Sequence, residues 1–273
     1  MVKKSHVKLK YGCAIASIFI LIILTWWVAI KPSLPNSASQ NSTNTNATVV
    51  INAKDYQQFW LWTPPKNPDK LSQATTLYLL QGEIDPILKS QSPQLAHSTL
   101  ANLTSKGLAV RPLPHKKIWL VYRVTGQTWQ PDVMPKILAR LKQWQQAGND
   151  VQGIQIDFDS PTYQLDNYAK MLTLIREQLP SDYKLSVTGL LDWANQAQNP
   201  AFLAVCQQVN ELVMQTYQGV STLPEYAVYL KKLEYMPIDF KIGLVEHGLW
   251  QGKSNLEANP HFKGYVVFLH EVR

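Results

Sequence analysis

The chain has 273 residues, 45% of them hydrophobic and 16% charged, and its 9 Trp, 12 Tyr and 7 Phe supply ample material for a full-sized core. A disordered or fibrous protein is thereby excluded. The formal charge of +7 is mostly local: Lys3, Lys4, Lys8, Lys10 and Lys31 carry five of the seven charges, and residues 1–31 contain no acid. The remainder holds 21 basic and 19 acidic residues, with no basic run interleaved with aromatics, which argues against nucleic acid as a partner.

Residues 12–30 carry no charged side chain. At about 1.5 Å rise per residue, this stretch crosses most of a hydrocarbon core of about 30 Å. Four lysines precede it and only Lys31 follows closely. The positive-inside bias therefore predicts a single-pass transmembrane signal anchor at 12–30, a basic cytoplasmic N-terminus at 1–11, and the rest of the chain in the periplasm or outside. A cleaved signal peptide is the rival reading; the length of the apolar run and the lack of a small-x-small site before Lys31 speak against it. Residues 31–48 are rich in Ser, Asn and Thr and read as a flexible linker, so the folded domain is expected at 49–273. Cys13 falls in the membrane segment and Cys206 stands alone in the domain, so no disulfide can form within it. Asn41, Asn46 and Asn102 head Asn-x-Ser/Thr sequons, read here as chance occurrences in an Asn-rich chain.

Eight short runs rich in β-branched and aromatic residues recur at 58–62, 76–81, 118–124, 151–159, 184–190, 211–217, 240–245 and 264–269, each bounded by turn-forming residues. Between the third and fourth, Met134, Ile137, Leu138, Leu141 and Trp144 fall at helical spacing within 131–147. After the fourth, Ser160-Pro161 opens a helix whose face is Leu165, Tyr168, Ala169, Leu172, Ile175 and Leu179. Shorter helical patterns fit 200–207 and 224–233. Eight strands alternating with helices predict an α/β fold, a single (β/α)8 TIM-like barrel, with an open doubly wound sheet as the alternative. No glycine-rich dinucleotide or nucleotide motif follows a strand, and no cofactor is expected.

In the fourth run, side chains alternate faces, so Ile154, Ile156 and Phe158 should meet the helices while Gln155, Asp157 and Asp159 face the barrel axis. The two acids then rise toward the open mouth about 6 to 7 Å apart. Buried carboxylates are costly, so these either find partners or are kept for function.

The stretch Gly153-Ile-Gln-Ile-Asp-Phe-Asp159, followed by a helix and then Leu185-Ser-Val-Thr-Gly-Leu-Leu-Asp-Trp193, resembles a bacterial family known only as a domain of unknown function. More distantly, the fourth strand is similar to that of chitinase-like family-eighteen glycoside hydrolases, whose signature is Asp-x-x-Asp-x-Asp-x-Glu. The resemblance places the last Asp on Asp157 and the acid-donating Glu on Asp159. Two positions depart from it: the acid is a shorter Asp, and the preceding Asp position is Gln155.

Further candidates lie at the other strand ends. Gln81 and Glu83 share parity after the second strand, Gln215 and Tyr217 after the sixth; Asp192-Trp193 follow the fifth, Glu246-His247 the seventh, and His270-Glu271 the eighth. Trp60, Trp62, Trp129, Trp193 and Trp250 lie near strand ends or loops, where a ring could stack on a sugar. His247, His270, Glu246 and Glu271 lack metal-site spacing, no metal is expected, and Cys206 reads as inert core. The expected function is a membrane-tethered, extracytoplasmic, glycoside-hydrolase-like barrel directed at an oligosaccharide or other glycan. Asp159 is the expected general acid, and Asp157 holds its proton or stabilises developing positive charge. Gln155, Gln81, Glu83, Gln215, Tyr217, Asp192, Trp193 and Glu246 are the expected binding residues. The alternative keeps the fold without chemistry, as a non-catalytic glycan-binding or envelope scaffold protein.

Overall fold

Eight parallel strands close into a barrel: β1 (Gln58–Leu61), β2 (Thr76–Asp85), β3 (Lys117–Val124), β4 (Asp150–Asp157), β5 (Lys184–Leu190), β6 (Glu211–Gln215), β7 (Phe240–Val245) and β8 (Phe262–Phe268). Each pairs in parallel with its sequence neighbour, and β8 pairs with β1 to shut the ring, so the open-sheet alternative is ruled out. The computed structural model describes residues 48–85, 102–251 and 255–270. The basic terminus at 1–11, the expected membrane segment at 12–30, nearly all of the expected linker at 31–48, and Glu271 lie outside the described residues. Among the described residues no helix is long and apolar enough to cross a membrane.

Helices α1 (Val133–Gln146), α2 (Leu165–Gln178), α3 (Pro200–Gln208) and α4 (Tyr226–Leu230) follow β3, β4, β5 and β6. The pattern at 224–233 is only half α-helical, since Lys231–Tyr235 tightens into a 3-10 turn. The start at Ser160-Pro161 likewise yields a 3-10 turn, Thr162–Gln164, before α2. Apolar residues on the outer strand faces, including Leu77, Leu79, Ile154, Ile156 and Val187, merge with the buried helix stripes Ile137–Leu141–Trp144 and Tyr168–Leu172–Ile175 into one core. Inside the barrel, Trp60, Tyr78, Trp119, Val121, Val213 and Val266 form a second, separate cluster.

Polar groups thread that interior. Lys241 Nζ pairs with Glu211 Oε2 at 2.6 Å and donates to the Tyr78 hydroxyl at 2.8 Å, which in turn donates to Glu211 Oε1 at 2.7 Å. Above them, Gln155 Nε2 donates to Ser186 Oγ at 2.9 Å, and Trp60 Nε1 donates to Gln155 Oε1 at 2.6 Å. Every heteroatom of this ladder thus has a partner, as burial requires.

Two bulges shift the side-chain alternation. One lies in β4 beside Ile118 and Trp119 of β3, next to Gly153, whose φ is +155°. An added Cβ there would stand 1.9 Å from the Lys184 carbonyl oxygen, so glycine allows β4 and β5 to approach. The other lies in β2 between Leu80 and Gly82.

Candidate functional site

The C-terminal ends of the strands surround a cleft of about 730 Å³. This is the mouth where barrel chemistry is ordinarily built, because the loops that follow the strands can vary without disturbing the core. Asp157, Asp159, Arg123 and Gln215 line it beside Trp62, Tyr217 and Phe268, with Asp192 on one wall and Glu225, Tyr226 and Tyr229 toward the rim.

Asp157 closes β4 with its side chain inward and only 7% of its surface exposed. Thr188 Oγ1 accepts the Phe158 amide at 3.2 Å and donates to Asp157 Oδ1 at 2.9 Å, so its single proton is committed to the carboxylate. Gln215 also hydrogen-bonds Asp157. Burial pushes the Asp157 carboxyl up to about 6; the Thr188 bond opposes the rise, the Asp159 charge adds to it, and Arg123 and Gln215 pull it back. Arg123 is the register partner of Asp157 on β3 and shares its face. Asp159 lies past the strand end and is exposed to the cleft.

An aromatic wall faces these groups. Trp62 meets Phe268 edge-on at 5.3 Å, Phe268 stacks with Tyr217 at 5.9 Å and 2° between planes, and Tyr217 meets Trp60 at 6.5 Å. The Arg123 guanidinium sits 5.3 Å from the Trp62 ring centroid, a cation-π contact that fixes both. Burial and the charges of Asp157 and Asp159 push the Tyr217 phenol well above its ordinary value, which keeps it a proton-bearing donor. The arrangement offers one buried carboxyl raised to about 6, one exposed carboxyl group beside it, hydrogen-bonding side chains, and flat apolar faces.

Five expected residues therefore meet in the cleft: Asp157, Asp159, Gln215, Tyr217 and Asp192, whose Oδ2 accepts from Thr162 Oγ1. Five do not line it. Gln155 is fully buried below the cleft, between Trp60 and Ser186. Gln81 and Glu83 part company because the β2 bulge inserts a residue. Gln81 turns outward, accepting from Trp144 Nε1 of α1 at 2.8 Å and donating to Leu80 O and Leu108 O, while Glu83 stays level with Arg123 and pairs with Lys106. Trp193 is wholly buried, because the 3-10 turn Leu191–Gln196 folds it inward against Tyr168, Phe202 and the bare Cα of Gly189, and Nε1 donates to Ser160 O at 2.9 Å. Glu246, buried just beyond β7, binds Lys70 Nζ at 2.8 Å outside the cleft. Of the five tryptophans considered for stacking, only Trp62 lines the cleft; Trp60, Trp129, Trp193 and Trp250 are buried in packing.

Thr188, Phe268 and Arg123 serve the site without standing among the expected residues. For Arg123, alternation with Trp119 and Val121 was the available signal, since all three share the inner face of β3. Among the described residues no three His, Cys, Asp or Glu side chains are placed to hold a metal ion. Cys206 is buried, and burial raises its thiol to about 12.

Residues 114–227, which include the fourth strand and most of the cleft-lining positions, match the family model described as a domain of unknown function (DUF3142). The resemblance carried by the Gln-Ile-Asp-Phe-Asp strand is borne out over that span. No curated protein matches the chain. Among solved structures, the crystal structure of the Bacillus cereus spore cortex-lytic enzyme SleL is similar at 18% identity and a TM-score of 0.36, over 69% of this chain. The match covers 52% of that protein, so this chain spans about half its length.

Proposed function

We propose that the barrel is a glycoside-hydrolase-like enzyme acting on a glycan, held at a membrane by residues 12–30 and facing away from the cytoplasm. One observation carries the catalytic part: a buried carboxyl raised to about 6 stands beside an exposed carboxyl group in a cleft walled by aromatic rings. Two carboxyl groups in unlike environments divide acid and base roles, and flat rings receive the apolar faces of sugars. Asp159, open to the cleft, gives its proton to the glycosidic oxygen. Water attacks the anomeric carbon as the glycosidic bond breaks and gives up a proton that restores Asp159, while Asp157, anchored by Thr188 and Gln215, holds the Asp159 proton before its transfer and stabilises positive charge that develops on the sugar. Trp62 and Phe268 hold a ring in place while Tyr217 donates to a substrate oxygen. The tether rests on the uncharged stretch and the lysines before it.

The test is product analysis by mass spectrometry, with the full-length chain in non-ionic detergent and a panel of envelope and storage glycans. Cleavage by the wild type and a loss of about a hundredfold or more in Asp159→Asn is the expected result, in line with the usual weight of general acid catalysis. Full activity in Asp159→Asn would overturn the assignment. Protease accessibility of the domain in sealed membranes tests the orientation.

A second reading, glycan binding without turnover, is favoured by one feature: the position matched to an acid-donating Glu carries the shorter Asp159. Recovery of bound oligosaccharide intact after long incubation would select it.

A further inference from the structure

A second cavity opens at the opposite end of the barrel. It measures about 690 Å³ and is lined by residues at or near the starts of all eight strands. Its charge is opposite in sign to that of the cleft. Lys116, Lys117, Lys184, Lys241 and Lys263 meet there, against Asp150 and Glu211. Both acids are already engaged: Glu211 with Lys241 and Tyr78, and Asp150 with Gln152 Nε2 at 2.6 Å. Lys263 leans on Asp239 at 3.5 Å and on the Pro260 carbonyl. Lys116, Lys117 and Lys184 make no ion pair among the described residues.

The excess at this one opening, five lysines over two acids, exceeds the excess of 21 basic over 19 acidic residues across the whole chain beyond residue 31. Lysines that merely solvate a surface have no reason to gather from separate strands around one hollow, since like charges repel there. The position of Lys184 is also fixed by packing, because its carbonyl abuts Gly153. The Lys241–Glu211 pair forms a floor whose charges satisfy each other, leaving the rim ammonium groups to act on whatever enters. Several compact cations around a hollow of this size suit a compact, multiply charged anion larger than one orthophosphate.

We propose that this N-terminal mouth is a binding site for a ligand bearing phosphate groups, separate from the glycan cleft. The phosphate belongs either to a soluble phosphorylated molecule or to a phospholipid headgroup; the chemistry of recognition is the same.

Isothermal titration of the full-length chain in non-ionic detergent tests this with two probes, inorganic tripolyphosphate and a water-soluble short-chain phosphatidylglycerol. Two double variants of equal charge change are compared: Lys117→Glu/Lys184→Glu at the mouth, and Lys54→Glu/Lys142→Glu at exposed positions elsewhere. Saturable binding of at least one probe is expected, weakened about tenfold or more by the mouth variant and by less than about twofold by the control, and fading with salt. Mouth-dependent binding of tripolyphosphate alone assigns a soluble ligand, and mouth-dependent binding of the phosphatidylglycerol assigns a headgroup. Equal weakening by the two variants, or no saturable binding of either probe, would overturn the proposal. Because all four lysines are exposed, unchanged thermal midpoints serve as the folding control, and Lys117→Gln/Lys184→Gln repeats the comparison if charge reversal disturbs the fold.

Discussion

Replacing Asp157 with Asn should alter how the domain's stability responds to pH. The carboxyl titrates near 3.8 when unfolded and near 6 when folded, chiefly because burial disfavours its charge. The native state therefore binds this proton more tightly, and stability falls as pH rises through the window between those two values. The cost is absent below about pH 4 and complete above about pH 6. A shift of about two units corresponds to roughly 3 kcal/mol. The replacement amide keeps an oxygen to accept the Thr188 hydroxyl but never ionises, so the variant lacks this cost. Urea unfolding followed by tryptophan fluorescence, at pH 4, 5, 6 and 7, gives the difference between the two proteins and cancels the titrating groups that are not coupled to Asp157. Relative to wild type, Asp157→Asn should gain roughly 3 kcal/mol between pH 4 and 7, which for a domain above 200 residues is about 6 to 12 °C in Tm. A constant difference would refute burial as the dominant influence on this carboxyl. A difference of opposite sign would mean that Thr188, Gln215 and Arg123 outweigh burial and hold the group ionised.

Thr188→Val removes the hydroxyl that opposes the rise at Asp157, so the acidic limb of kcat/KM should move upward in pH while the fold persists; a pH profile checks it. Gly153→Ala forces a Cβ toward the Lys184 carbonyl at a positive φ, and should cost roughly 3 kcal/mol or more in denaturant unfolding. Lys241→Met leaves Glu211 charged and buried without its cation, at a cost of about 3 to 5 kcal/mol; combining it with Glu211→Gln should recover much of the loss, which a double-mutant cycle measures.

All eight strands were legible because each is a short β-branched or aromatic run ended by turn residues, and local signals of that kind survive in any context. Asp157 was legible for the same reason: alternation alone turned it inward and left Ile154 and Ile156 to the helices, whereas Asp159 lies past the strand end and reaches the cleft from the segment that follows. Gln81 was misplaced because a bulge is a register event between two strands, and β2 carries no local mark of it except Gly82. Trp193 and Glu246 were misplaced because they lie in the segments after strands, where period-two reasoning has no purchase. Trp193 turns into the core to seat its N–H on Ser160, and Glu246 turns to Lys70, 176 residues away in sequence.

Closure of the barrel creates what no segment carries alone. Lys117, Lys184, Lys241 and Lys263 each stand at or next to the start of a strand, where a lone lysine reads as a solvated end. Arg123, Asp157 and Gln215 each stand at or near a strand's finish. Since every barrel strand runs the same way, all starts share one mouth and all finishes the other, so modest biases at strand ends add up into two poles of opposite character. The cleft pole gathers carboxylates beside a single arginine, and the other gathers ammonium groups over a self-satisfied ion pair. The Gln155–Ser186 and Tyr78–Glu211–Lys241 bonds fill the axis between them, so each mouth is a separate site with its own electrostatics, and substitutions at one are expected to leave ligand binding at the other unchanged.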